Sequence, residues 1–280
     1  MKIQLLPEGF DARIGDAVEA FWKGRSTPSK KKSKAKAKQG AGRDAVVSGQ
    51  NMNVFADLVR EVVQHCGIDP SSVHTRKKDV VLPGFFRATK NWDVLVIHQR
   101  RLLAVFEFKS QVGSFGNNLN NRSEEVIGSA ADLWVAHHHH AFSDGPHRPR
   151  RGGIAEPSAG ESDYSHDQAD TDPALLNPTL RSDPRPPFLG WLMLLEDCEA
   201  STTPVKVQEP HYRVFDEFCN ASYAQRYQIL CERLVERQLY AAAALELTMR
   251  DSREHRALSE ATSLRALFRE FAGRMVAANG

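Results

Sequence analysis

Several absences bound this chain of 280 residues before any motif is read. It has almost no net charge: 37 basic residues against 35 acidic ones leave +2 at neutral pH. Affinity for a polyanion must therefore come from local clustering and not from overall polarity. No run of about 18 apolar residues occurs, so no spanning helix is expected. The opening MKIQLLPEGF lacks the long apolar core and small-residue cleavage site of a secretory signal, which makes a cytoplasmic location the expectation. Cysteine is scarce as well. Cys66, Cys198, Cys219 and Cys231 are widely spaced and form no C-x-x-C pair, which speaks against a disulfide framework or a zinc finger and for reduced, mostly buried thiols. There are no internal repeats. With 41% hydrophobic residues the chain has ample material for one sizeable core.

The organisation reads as a single domain over 1–280 with two low-information interruptions. Asp11 to Lys23 places Ile14, Val18 and Phe21/Trp22 at helical spacing, with Asp11 as the cap. From 24 to 50 the composition shifts to Ser, Lys, Ala and Gly, with Lys30, Lys31, Lys32, Lys34, Lys36 and Lys38, the make-up of a flexible basic loop. A second helix is expected from a cap at Asn51 to His65. A strand follows at Val80 to Leu82, turned by Pro83-Gly84. Gly113 to Arg122 reads as a polar loop, and Ser123 with Glu124 and Glu125 as the opening of a third helix. A His-, Pro- and Gly-rich insertion is expected over about 137–187. Phe188 to Leu195, continuously apolar, reads as a strand buried on both faces of a mixed sheet. The region 211–280 is expected to be helical, with Ala221 to Leu247 unbroken and a further helix over Ala257 to Ala278.

Between these parts lies the segment with chemical content. Trp92 to Ile97, a polar turn, and Leu102 to Lys109 read as two buried strands that carry Asp93, Glu107 and Lys109. Alternation along a strand puts Glu107 and Lys109 on one face and Phe106 and Phe108 on the other. Buried strands rarely hold acids and a lysine unless the groups pair or react. Phosphodiester hydrolysis needs an activated water and stabilisation of charge building on the phosphate, and a divalent metal serves both. Magnesium takes oxygen ligands and keeps several waters, so Asp93 and Glu107 with the Phe108 backbone carbonyl would suffice. Lys109 would orient the water and offset charge in the transition state. On pattern alone a structural ion pair at the hairpin rim stands as the alternative.

The longer text around these residues is more specific. Pro83 to Val96 (PGFFRATKNWDVLV), then Phe106-Glu107-Phe108-Lys109-Ser110, then Ser114 to Gly128 (SFGNNLNNRSEEVIG) resembles the XhoI/PaeR7I family of type II restriction endonucleases. The likeness is strongest from Pro83 to Leu133, weaker over the first two helices, and resumes at Gly190 to Asp197. It implies a PD-(D/E)XK restriction-endonuclease-like α/β fold, with a central mixed sheet flanked by helices. It also implies a homodimeric, Mg2+-dependent enzyme that cuts double-stranded DNA at CTCGAG with 5′ overhangs, alongside a cognate methyltransferase. Asp93, Glu107 and Lys109 match the family's catalytic positions. Two departures stand out: the family's proline before Ser-Phe-Gly-Asn-Asn is missing where Gly113 meets Ser114, and the His- and Pro-rich insertion is unusual.

Around the hairpin, Asn117, Asn118, Asn120, Asn121 and Arg122, with Ser114, are candidates for DNA contact, since Asn pairs bidentately with adenine and Arg with guanine. Turn formation and helix capping would use the same residues. Arg87 and Lys90 are candidates for holding phosphates, with a surface role as the alternative. Glu124 and Glu125 would favour a helix dipole or contact cytosine or the metal. Glu61 could add a carboxylate to the metal. The Lys30 to Lys38 run would attract DNA in a salt-sensitive way. His137 to His140 with His147 lack fixed ligand spacing, so zinc is not the reading. A repair or structure-selective nuclease, and a DNA-binding protein with a structural acid cluster, remain the competing functions.

Overall fold

In a computed structural model of the chain, the described residues are 4–26, 52–142, 180, 183, 185–208 and 211–279. The basic run Lys30 to Lys38, Asn51, His147 and most of the 137–187 insertion lie outside them. The core of the fold is a six-stranded mixed sheet in the order β1-β4-β5-β6-β7-β8. Its strands are β1 (Val73–His74), β4 (Val94–His98), β5 (Arg101–Gln111), β6 (Phe188–Glu196), β7 (Ala242–Thr248) and β8 (His255–Arg256). Beside it β2 (Val81–Pro83) and β3 (Thr89–Asn91) form a small antiparallel hairpin. β5, β6 and β7 run parallel in the centre, while β4 and β8 flank them antiparallel.

Burial on both faces explains the composition of the central strands. One apolar layer contains Phe106, Phe108, Leu192, Leu194 and Ala244 and is covered by α1 (Phe10–Ser26), α2 (Val54–His65) and α6 (Leu264–Asn279). The other contains Val105, Trp191, Met193 and Leu245 and is covered by α3 (Phe115–His138) and α5 (Tyr223–Glu236). Each large side chain withdrawn from water in this way contributes about 1.5–3 kcal/mol. A single turn, α4 (Glu199–Thr202), follows β6.

The hairpin β4–β5 forms as the alternation requires, closed at Gln99 and Arg100, whose φ values of 48° and 64° give a two-residue turn with both central residues left-handed. Other boundaries differ from the sequence expectation. The third helix begins at Phe115, not Ser123, so the expected polar loop from Gly113 to Arg122 is almost entirely helix. Phe115 and Leu119, four residues apart, enter the apolar layer and hold together a stretch whose Gly and Asn residues are poor helix formers. His137 and His138 end that helix and do not begin the insertion. The unbroken helix over Ala221 to Leu247 is replaced by α5 and strand β7, so the C-terminal region completes the sheet as well as covering it. Seven consecutive buried residues in β7 show why: β6 on one side and both helical layers can hold an extended segment there. The last helix starts at Leu264 rather than Ala257. At the start of α2 the capping position falls to Asn53, whose side chain makes no capping bond. Cys219 is exposed, contrary to expectation for the cysteines, while Cys66 and Cys231 are buried and all four are free thiols. Among the described residues no helix is long and apolar enough to cross a membrane.

Candidate active site

The site forms where β4 and β5 part company. Their pairing runs as far as Val94 opposite Phe106. One residue earlier, Asp93 still donates its N–H to the Phe106 carbonyl at 3.1 Å, but Trp92 already bonds to Val80 and leads away into the β2–β3 hairpin. β5 continues without β4, and the exposed edge is taken over by a side chain: Asp93 Oδ2 accepts the Phe108 N–H at 2.7 Å. Backbone groups of alternate residues on a strand point the same way, so the Phe108 carbonyl faces the same gap as that of Phe106.

On the α3 side of the sheet, Glu107 is only 2% exposed. A carboxylate so deeply buried needs compensation, and two lysines supply it. Lys90 Nζ, from β3, lies 3.1 Å from Glu107 Oε1, and Lys109 Nζ lies 3.0 Å from the same oxygen. Lys90 also sits 4.5 Å over the Trp92 ring, a cation–π contact that fixes its direction. Lys109 reaches on to Glu125 Oε1 at 2.7 Å, and Glu125 is steadied by Arg122 at 2.6 Å. Tyr240, buried at the entrance to β7, donates its hydroxyl to the Val126 carbonyl at 3.2 Å and lies 3.5 Å from Glu107 Oε2.

Protonation follows from these surroundings. Burial pushes the Asp93 carboxyl up, and the Phe108 N–H and Lys109 only partly offset it. For Lys109 burial alone would lower the pKa, but Glu107, Glu125 and Asp93 outweigh it and hold the group above its ordinary value. Glu125 is held down because Lys109 and Arg122 overcome its burial. Burial and the neighbouring Glu107 push the Tyr240 hydroxyl well up. The cluster therefore sets an ammonium favoured at Lys109 and a carboxylate favoured at Glu125 beside a phenol held neutral at Tyr240 and an Asp93 whose charged form burial disfavours.

Of the residues picked out by sequence, Asp93, Glu107, Lys109, Lys90, Glu125 and Arg122 form one connected group. Glu125 is not at a helix start, as expected, but well inside α3, where its role is to hold Lys109. Asn117, Asn120, Asn121 and Glu124 form an exposed stripe on the first turns of α3, Ser114 is exposed at its cap position, and Asn118 bonds to the Ser114 carbonyl at 3.1 Å. Gly113 and Ser114 have φ of 68° and 48°. A proline ring, which holds φ near −65°, would not fit at either. Arg87 is engaged by Asp132 at 2.8 Å. Glu61 lies outside the connected group and pairs with Arg13 at 2.8 Å. Tyr240 and Asp132 were not foreseen; for Asp132 the one signal was an acid beside Leu133 on the apolar side of a helix, and Tyr240 gave none.

The oxygens of Asp93, Glu107 and the Phe108 carbonyl, near the parting of the strands, are the donor type a hard divalent cation takes, with no thiol or imidazole among them. Among the described residues no three His, Cys, Asp or Glu side chains gather as a metal cage, and magnesium, which keeps waters and shares phosphate oxygens, does not require one.

An acid at the end of one strand and Glu-x-Lys on the next, at the open end of a mixed sheet between helical layers, define a restriction-endonuclease-like protein. The family model described as Restriction endonuclease XhoI matches residues 30–152 and 168–260, and the chain belongs to that family of type II restriction endonucleases. It is 41% identical over 217 residues to the type II restriction enzyme BstVI of Geobacillus stearothermophilus, covering 75% of this chain and 79% of the relative. It is 36% identical over 226 residues to the type II restriction enzyme XhoI of Xanthomonas vasicola, covering 80% and 74%. To AbrI of Azospirillum brasilense it is 35% identical over 205 residues, covering 73% and 74%. No solved structure matches the chain.

Proposed function

We propose that this chain is a site-specific deoxyribonuclease that hydrolyses one phosphodiester in each strand of double-stranded DNA at a palindrome, CTCGAG, leaving 5′-phosphate ends and 5′ overhangs. The observation that carries the reading is that, where β4 and β5 part, Asp93 bonds the Phe108 N–H between Glu107 and Lys109, which are themselves paired. Asp93, Glu107 and the Phe108 carbonyl would hold Mg2+, which when bound supplies an activated water and neutralises charge on the phosphate. Lys109, an ammonium with three donors, is aimed by Glu107 and Glu125 and stabilises charge that builds on the phosphate oxygens. Lys90 pairs with the buried Glu107 at 3.1 Å and places a second cation beside it. The exposed stripe Asn117, Asn120, Asn121 and Glu124, on a helix that starts immediately after the catalytic strand, supports reading of base edges in the major groove. A palindrome cut in both strands calls for two copies of the site, hence a homodimer. A host carrying such an activity needs a methyltransferase of the same specificity, working in the cytoplasm where its DNA lies.

Unmodified plasmid incubated with the protein and Mg2+ is expected to give discrete fragments whose ends map to CTCGAG, and Glu107→Ala to give none. Fragments ending at another sequence would correct the target while keeping the enzyme. Random degradation, or preference for nicks and flaps, would replace site specificity by a structure-selective nuclease. Metal-independent binding without cleavage under any divalent ion would leave a DNA-binding protein whose acid cluster is structural.

A further inference from the structure

The turn between β2 and β3 carries two large apolar side chains into solvent, Phe85 at 49% and Phe86 at 72% exposure. Exposed aromatic pairs of this kind mark contact surfaces, and this one is rigidly built. Asp132 of α3, its side chain 3% exposed, accepts the N–H groups of both Phe85 and Phe86 at 2.8 Å and pairs with Arg87 Nε at 2.8 Å. Gly84 donates to the Ala88 carbonyl at 3.3 Å and closes the turn. A Cβ on Gly84 would stand 2.6 Å from Asp132 Oδ2 and 2.7 Å from the Arg87 carbonyl, so only glycine lets the turn close on the carboxylate. Phe85 stacks on His139 with centroids 4.6 Å apart and planes at 23°, and Phe86 packs edge-on against Phe85 at 5.0 Å. A buried carboxylate is thus used to aim apolar groups outward, the reverse of what folding alone would select.

The turn is also registered to the active site. Glu125 and Asp132 lie seven residues apart on α3, two turns or about 10.5 Å along the same face. Glu125 holds Lys109 at 2.7 Å, while Asp132 holds the turn. The strand leaving the turn, β3, delivers Lys90 to Glu107.

Resting on the endonuclease reading above, we infer that Phe86, backed by Phe85 and His139, is a wedge that inserts against a base step of the duplex DNA that the active site cuts. Apolar wedges of this type partly unstack a step and kink the duplex, and stacking on the ring returns contact to the displaced base. Phe86 is a positioning and specificity-determining residue in this account, not a catalytic one.

The test uses the full chain without Mg2+ and duplexes carrying the fluorescent base 2-aminopurine at successive positions across the mapped target. Wild-type protein is expected to raise the fluorescence at one step as the base unstacks. Phe86→Ala should abolish that rise and weaken binding roughly tenfold, with the thermal melt unchanged because the side chain is exposed, and Phe86→Trp should restore both. An alanine variant that unstacks and binds DNA as wild type does overturns the wedge while leaving the nuclease intact. So does one whose only change is loss of the dimer, which would assign the aromatic pair to a second copy of the chain. If wild-type protein cuts no DNA with Mg2+, the endonuclease reading fails, and the wedge falls with it.

Discussion

Two strands of this sheet carry nearly the same local text and do different things with it. β5 holds Phe106-Glu107-Phe108-Lys109 and β7 holds Leu245-Glu246-Leu247-Thr248. Both glutamates are buried, at 2% and 3% exposure, yet they face opposite helical layers. Glu107 shares its side with Val105 and meets two lysines, a tyrosine and the gap beside Asp93. Glu246 shares its side with Ala244, lies 2.7 Å from His255 Nδ1, and accepts the Leu264 N–H at 3.1 Å, capping α6. Neither burial nor alternation makes a carboxylate catalytic. What separates them is that the partners of Glu107 include two lysine ammonium groups at a parting of strands, whereas those of Glu246 are a helix end and a ring on a neighbouring strand.

The sharpest way to break that distinction is to neutralise each acid in turn. Glu107→Gln is expected to lower the cleavage rate by about 10³-fold or more, a larger loss than removal of a single oxyanion donor, with the protein still folded by circular dichroism. Lys109→Met should cost about 10²-fold in single-turnover cleavage while DNA binding persists. Glu246→Ala should instead leave cleavage at low temperature near wild type but remove about 2 kcal/mol of stability, through the lost cap and buried bonds, seen as a drop of about 4–8 °C in the melting temperature. Equal loss of cleavage from both substitutions, measured on folded protein, would erase the comparison. The smallest effect is expected from Tyr240→Phe: removing one hydroxyl that bonds to a main-chain carbonyl should cost about 1 kcal/mol in stability and less than about tenfold in rate.

The β4–β5 hairpin and its shared Glu107–Lys109 face were legible because side-chain alternation is a local property with period two. So was β6, whose run of apolar residues fits only a two-sided burial. β7 was not, because Ala241 to Ala244 followed by Leu and Glu favours helix by intrinsic propensity; its extended form comes from pairing with β6, more than forty positions away. The start of α3 was hidden for the opposite reason, since Gly116 and four asparagines argue for loop until Phe115 and Leu119 find the core.

For this protein the sequence alone determined the candidate groups and their order along the chain: an acid, then Glu-x-Lys, with an asparagine-rich segment close behind. Those follow from side-chain chemistry and short-range geometry. Only the tertiary structure decided that Glu125 grips Lys109, that Lys90 faces Glu107, that the Tyr240 hydroxyl lies beside Glu107, and that Asp132 holds the aromatic turn. Each of those contacts joins residues far apart in the chain or on different elements, and each matters because the assembled layers exclude water. Charge pairs there are governed by the low dielectric of the interior, an environment that no segment of the chain possesses until the sheet and its two helical layers have come together.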